Sequence, residues 1–326
     1  VNDAQWETLS NQAVAAAGVV YFLALLAHLV EWTALRKVPV RQQPRTGVIP
    51  MFGRLGLLLT ILATAVHFVA LLARGMAADP NRVPWGNMYE FTMAGSFFVA
   101  LLYLLAYRRF ALHWMAPLVV GFVLTVLMMA VVWLYSPVAP LTEALESPWL
   151  VIHVVSAVIA TGAFTLGGIG SILYLVKARR EAATSGDDDL ATGYVARLPS
   201  STTLERVSYR MHAFAFPVWT FAVLITGPIW AHQAWSSYWN WDPKEVWAFI
   251  TWVVYAAYLH ARTTAGWRGR NASIVALVGL ATLWFNFVGI NFFSTTSQHS
   301  YAEGASAVVS PLERAVDPQL GSGSSF

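Results

Sequence analysis

Six of the fifteen tryptophans of this 326-residue chain fall within one short stretch, at positions Trp230, Trp235, Trp239, Trp241, Trp247 and Trp252. One or two would serve as anchors at a membrane surface, but six exceed what anchoring needs. Indole faces suit a large planar apolar ligand, because aromatic stacking adds about 0.5–1.5 kcal/mol per pair beyond the area buried. A porphyrin has that shape. Porphyrin iron takes histidine readily as an axial ligand, and the chain has eight histidines. It has no cysteine, which excludes a disulfide framework, a thiolate metal site and a C-x-x-C-H segment of its own, so haem would be held reversibly.

Between Trp241 and Trp247 lies the opening of a helix. Asp242-Pro243-Lys244-Glu245 reads as an N-cap aspartate, a proline at the first helical position and a glutamate at the third, a variant of the capping box. Asp242 is therefore a structural candidate as well as a site candidate. It would fix the tryptophan loop against the following helix, as a preorganised site requires.

The elements that position these residues are set by composition. With 57% hydrophobic and 11% charged residues, the chain lies far from the roughly 25% charged share of a soluble domain. Eight stretches approach the length of about 20 apolar residues that a spanning helix needs: Ala13–Leu35, Gly53–Ala73, Glu90–Tyr107, Leu112–Tyr135, Trp149–Val176, Ala213–Ala231, Val246–Ala261 and Ala272–Ser294. The fold class is an all-α polytopic membrane bundle of about eight transmembrane helices. The N-terminal stretch shows none of the features of a cleaved signal, so the first apolar helix is expected to direct insertion.

Sixteen of the twenty basic residues follow spans one, three, five and seven, leaving Arg74, Arg82, Lys244 and Arg314 for the other side. The positive-inside rule then puts both termini and the tryptophan loop outside. The net charge of +3 is spread over these short segments, a topology signal and not a nucleic-acid surface. Residues 1–145 form four helices with an outer aromatic segment, Trp85 to Glu90, and residues 146–326 form the core that carries the tryptophan loop at 230–247. A polar inner loop at 178–210 and a tail at 312–326 are expected to be flexible. Glu90 would be costly in lipid and is expected to meet Arg74, Arg82 or a polar cavity. Small residues in span five (Gly162, Gly167, Gly168, Gly170 and Ser171) are expected to allow close helix contact. No phosphate-binding glycine loop occurs in a soluble setting, which argues against ATP use.

Depth and side sort the histidines. His153 heads span five and His299 follows span eight, both on the side of the tryptophan loop, so together they make a candidate bis-histidine site. His260 lies at the inner end of span seven, where an ionisable group is a functional candidate by default. His67, inside span two, competes with it, although a packing role accounts for it equally well. His232 sits in the loop, while His28, His113 and His212 lie near the inner boundary; none of these four is assigned to iron.

The run from Trp230 to Glu245, continuing through Trp247 and Trp252 to Tyr258-Leu259-His260-Ala261-Arg262, resembles the WWD signature of haem-handling proteins. It is most similar to the CcsA/ResC family of cytochrome c assembly, System II, and the resemblance covers most of the chain from about His67 to Tyr301. The resemblance implies a holocytochrome c synthase subunit that carries haem b to the extracytoplasmic face and presents it to C-x-x-C-H segments of apocytochrome c. It implies His153 and His299 as external iron ligands, and His260 as a transmembrane ligand paired with a histidine of a CcsB/ResB-like membrane partner. Trp230, Trp235, Trp239, Trp241 and Trp247 would hold the ring, with Trp239, Trp241 and Asp242 closest to the chemistry. Further partners are thiol reductant proteins and the lipid bilayer, and the location is a bacterial inner membrane or a thylakoid-type membrane. Two alternatives stay open: a haem exporter or chaperone without attachment chemistry, and a b-type electron carrier. The last is disfavoured because no span carries two histidines.

Overall fold

The computed structural model describes residues 2–44, 46–140, 145–183 and 192–293. His299, the polar run within the 178–210 loop and the C-terminal tail lie outside the described residues. Among the described residues all regular structure is helical. The long helices are α1 (Asp3–Leu35), α2 (Val48–Met76), α3 (Met88–Tyr107), α4 (Ala116–Trp133) and α5 (Pro148–Ala183). A short α6 (Tyr194–Arg197) leads to α7 (Ser201–Thr220), which runs through a π-turn at Phe221–Thr226 into α8 (Gly227–Trp235). After the tryptophan loop come α9 (Pro243–Thr263) and α10 (Arg270–Trp284), the latter continued by a second π-turn, Phe285–Gly289, and α11 (Ile290–Phe293).

Seven of these rods, with Ser201–Trp235 counted as one, are long and apolar enough to cross a membrane. The eighth expected span is α9, a helix of 21 residues. It falls short of that apolar content because Trp247, Trp252, Tyr255 and Tyr258 stand where aliphatic residues would otherwise be. Helix α1 starts ten residues before its apolar run, capped by Asn2, whose side chain accepts from the Gln5 amide while Gln5 answers in a capping box.

Burial follows the small residues. On α1, Ala13, Ala17, Gly18, Tyr21 and Ala24 form one buried face that packs along α2, while Val19, Phe22, Leu23 and Leu26 point outward. Outward leucine and buried alanine are the pattern of a bundle dissolved in lipid, where close backbone approach and not apolar burial holds helices together. Helix α5 is the hub, touching α3, α7 and α10. Its Gly162, Gly167 and Gly168 leave room for Leu102, His212 and Leu280 from those three neighbours, the close contact that the glycine-rich face predicts.

One buried charge cluster fixes the start of α3. Glu90 accepts from Arg74 Nε at 2.9 Å, from Arg82 Nη1 at 2.7 Å and from the Gly86 amide at 2.7 Å. Arg74 also reaches Glu7 on α1 at 3.4 Å and donates to the Ser136 carbonyl. Both Arg74 and Glu90 side chains are fully enclosed. Glu90 thus meets both arginines expected from the sequence, and the Asn87 side chain caps its amide at 2.9 Å.

Candidate functional site

His153 sits one turn into α5, where a serine and a glutamine tie that end of the helix to α8: Ser147 Oγ donates to Gln233 Oε1 at 2.7 Å. The His153 ring lies nearly parallel to Trp230, with centroids 5.9 Å apart and planes 14° apart. Its Nδ1 is 2.9 Å from the carbonyl oxygen of Ala222. A carbonyl can only accept, so that bond places the imidazole proton on Nδ1 and the lone pair on Nε2. This second-sphere arrangement orients a histidine for a metal.

The Ala222 carbonyl is available because the helix is miswound there. Through the π-turn the Gly227 amide bonds back to Ala222 O, and Thr226 Oγ1 reaches the same oxygen at 3.1 Å. Pro228, just beyond, lacks the amide proton that regular winding would use. Gly227 supplies the space: a Cβ there would lie 3.2 Å from His153 Cε1 and 3.1 Å from Ala222 O. π-Turns often mark functional positions for this reason.

His153, Trp230, Tyr238, Trp239, Lys244 and Glu245 line one cavity of about 140 Å³, closed on the other side by Phe91, Asn286 and Phe287. Phe91 follows Glu90 directly, so the buried charge cluster sets the cavity wall. Asn286 and Phe287 lie in the second π-turn. No periodic signal marks these two in the sequence, because a π-turn shifts the facing residues out of helical register.

The loop itself is held by α9. Glu245 Oε2 accepts from the Asn240 amide at 2.8 Å and from the Asp242 amide at 3.2 Å, while Asp242 Oδ1 accepts from the Lys244 amide at 2.9 Å. This is the capping box read from the sequence, and Asp242 is buried in it. Ser236 and Trp241 both take left-handed backbone angles, φ 56°, which for a bulky residue such as tryptophan is strained and persists only where neighbours impose it.

The six indoles do not form one platform. Trp230 and Trp239 line the cavity, and Trp235 buttresses Trp230 edge-on at 4.9 Å. Trp241 is 75% exposed, meeting Trp239 edge-on. Trp247 faces Phe285 at 4.3 Å, and Trp252 donates to Thr220 Oγ1 at 2.9 Å, so both serve helix packing. Neighbours along a helix point in different directions, and count alone does not reveal which face each takes.

The other histidines separate by place. His260 is exposed at the far end of α9, its Nδ1 3.3 Å from Thr264 Oγ1. His67 is fully buried between α1, α2 and α3, edge-on to Tyr21 and Phe97, and lines neither the cavity nor the face that carries His260. His232 is exposed and stacks on Tyr238 at 4.2 Å. His212 is buried against Gly167, with Nδ1 2.7 Å from the Ser208 carbonyl. His28, near the inner end of span one, is buried at 3% exposure. No group of three or more histidine, aspartate or glutamate residues is arranged for a metal ion among the described residues.

The residues at the cavity fit that group. The Trp239 indole N–H and the Asn286 amide oxygen are buried in its wall without a protein partner, a cost that a polar ligand edge would offset. His153 Nε2 carries the lone pair, Trp230 lies parallel to the imidazole, and Lys244, whose ammonium pKa burial pushes down to about 7, would hold its charge more firmly beside a carboxylate. The cavity is smaller than a porphyrin, so the ring would be gripped on one part and project elsewhere.

Comparison with known proteins places the chain in a family. Residues 85–297 match the family model described as cytochrome C assembly protein. The chain is 31% identical to the cytochrome c biogenesis protein CcsA of Mesostigma viride, over 79% of this chain and 88% of that one. It is 29% identical to CcsA of Synechococcus sp. strain JA-3-3Ab, over 91% and 95% of the two chains. A solved structure titled cytochrome c heme lyase CcmF superposes with a TM-score of 0.63 at 17% identity, covering 98% of this chain and 52% of that one. The likeness is one of fold, and this chain spans about half the length of that structure. With its family model covering the whole tryptophan loop and all of α5 to α10, the chain belongs to the CcsA-type cytochrome c assembly proteins.

Proposed function

We propose that the chain is the haem-presenting subunit of a cytochrome c haem-attachment enzyme, with its working cavity at the extracytoplasmic face. The observation that carries this reading is the His153 Nδ1 bond to Ala222 O within a cavity shared with Trp230 and Trp239. Haem b held there offers two vinyl groups, and each cysteine of a C-x-x-C-H segment adds its S–H across one of them, forming a C–S and a C–H bond.

The chain's part is placement. His153 keeps its proton on Nδ1 and directs Nε2 to the iron, Trp230 and Trp239 hold the ring, and Lys244 meets a propionate. His299, from the same side in the sequence, would hold the iron together with His153, and the histidine of a C-x-x-C-H segment would bring that segment into register at the same group. Positioning of this kind can supply about 7–11 kcal/mol of a barrier. Glu245 and Asp242 keep the loop from collapsing into the cavity.

His260 serves a second site within the membrane. Its exposed position on α9 suits pairing with a histidine from a CcsB/ResB-like partner, giving a relay from the inner leaflet to the outer cavity. Thiol reductant proteins keep the apocytochrome cysteines reduced, and the setting is a bacterial inner membrane or a thylakoid-type membrane.

The test is expression of the chain with and without a CcsB/ResB-like partner, beside an apocytochrome c, with covalent haem scored by stain on a denaturing gel. Stained cytochrome is expected with the partner present. Trp239→Ala should reduce it several-fold, whereas Trp241→Ala, which removes an exposed ring, should leave it near the unmodified level. Haem retained by the chain with no covalent product would assign a carrier and not an attachment enzyme.

A further inference from the structure

A second cavity, of about 300 Å³, opens at the opposite end of the bundle, between α1, α2 and the turn before α4. Its mouth is a notch cut by two glycines. Gly53 and Gly56, three residues apart on α2, face Glu31 and His28, three residues apart on α1. A Cβ at Gly56 would lie 2.6 Å from the His28 ring, and one at Gly53 would press on the Glu31 carboxylate. Glu31 is half-exposed and His28 is buried, so the carboxylate stands at the mouth and the imidazole about one turn deeper.

Arg54 is exposed at the same mouth. Among the described residues neither Glu31 nor Arg54 belongs to an ion pair. Arg197, the other guanidinium of the wall, is spent: it donates to the Leu35 carbonyl at 2.7 Å, to that of Val38 and to Gln43 Oε1 at 3.3 Å. Trp32 has one face covered by Tyr194, 3.8 Å away. What the mouth still offers is one carboxylate and one guanidinium, of opposite sign.

Opposite charges at one mouth fit a ligand that carries both. An anionic headgroup would satisfy Arg54 and be repelled by Glu31, and a bare amine would do the reverse. Phosphatidylethanolamine carries a phosphate and an ammonium joined by two carbons, and the rise from Glu31 to His28 is about 4.5 Å, a span of that order. Its ammonium donates hydrogen bonds to a carboxylate, which the trimethylated group of phosphatidylcholine cannot do. The acyl chains have a path, because Leu58 and Ile61, on the face of α2 that carries Arg54, are exposed. We propose that this cavity is a headgroup site for phosphatidylethanolamine, with the ammonium on Glu31 and the phosphate on Arg54, at the end where the positive-inside rule places the inner leaflet. Arg36, Lys37 and Arg41, exposed on the following segment, attract anionic lipid without selection, so Glu31 is the residue that sets the preference. Nothing in the site depends on haem.

The experiment titrates the full chain in detergent with short-chain phosphatidylethanolamine, phosphatidylglycerol or phosphatidylcholine, and with soluble phosphoethanolamine, reading the first bound molecule by native mass spectrometry. Phosphatidylethanolamine should bind roughly fivefold more tightly than the other two lipids, the upper range for a charge pair that water still reaches. Glu31→Gln should erase that preference or turn it toward phosphatidylglycerol, because the basic segment is then unopposed. Arg54→Gln, at an exposed position, should weaken phosphatidylethanolamine and phosphatidylglycerol alike while the thermal midpoint of the lipid-free chain stays unchanged, which separates ligand loss from misfolding. Equal binding of phosphatidylethanolamine and phosphatidylglycerol by the unmodified chain overturns the proposal, as does a preference that survives Glu31→Gln. Phosphatidylcholine binding as tightly as phosphatidylethanolamine overturns it too, and phosphoethanolamine competing as well as the lipid would mark the site of a soluble ligand instead.

Discussion

Replacing His153 by alanine should lower covalent cytochrome c formation by at least roughly tenfold, the smallest loss expected when an iron ligand and not merely its supporting partner is removed. The substitution leaves α5 otherwise intact. His153 makes its hydrogen bond to Ala222 O, yet that oxygen keeps the Thr226 hydroxyl and the Gly227 amide, so no buried carbonyl is stranded. Added imidazole should therefore recover part of the activity by filling the vacated coordination position. Gly227→Val should mimic the defect without touching a ligand, because even a single Cβ at this position would press on the imidazole, and there imidazole should not help. Assembly is measured by haem stain in cells expressing each variant at matched membrane levels; equal stain in His153→Ala and the unmodified chain would remove His153 from the site.

The largest effect on stability is expected at the other support of the cavity. Glu90→Gln should destabilise the bundle by about 3–5 kcal/mol, the cost of breaking a buried ion pair by removing one partner. Arg74 would then be left enclosed, with only Glu7 at 3.4 Å and a backbone carbonyl. The comparison is Glu205→Gln. Glu205 pairs with Arg262 at 2.7 Å, but both side chains keep some exposure, so water can replace part of the loss and the cost should be visibly smaller. Thermal aggregation in detergent, read by size-exclusion chromatography, ranks the two. Because Phe91 lines the cavity beside Glu90, Glu90→Gln should also lower haem retention in whatever fraction stays folded. Equal thermal midpoints for the two variants would mean that the cluster is not a keystone.

Much of this was legible before any coordinates. Eight apolar runs gave the rods, since a helix in lipid must satisfy its own backbone and can hardly be anything else. Asp242-Pro243-Lys244-Glu245 announced a capping box, because that chemistry is local to four residues. Glu90 needs an arginine or a polar cavity, because a bare carboxylate in lipid is too costly, and it meets both Arg74 and Arg82. Depth along a helix can be counted, so His153 and His260 were assigned to opposite ends correctly. Rotation about the helix axis cannot be counted as easily. This is why the sequence does not show that Trp247 and Trp252 pack helices, or that His28, near the inner end of span one, lines a cavity. The two π-turns are not legible in the sequence, since one threonine in Phe221–Thr226 and one asparagine in Phe285–Gly289 are equally compatible with a regular helix. Their effect is to expose Ala222 O and to bring Asn286 to the cavity.

The absorption spectrum of haem that co-purifies with the chain tests the central claim most directly. Haem held between His153 and His299 should give the sharp low-spin reduced spectrum of two nitrogen ligands in the His260→Ala chain, where the membrane-level site is removed. Adding His153→Ala and His299→Ala to that chain should abolish the low-spin bands, and imidazole should restore them. A low-spin bis-histidine spectrum that survives in the triple variant without added imidazole would contradict the account and place the haem elsewhere in the bundle.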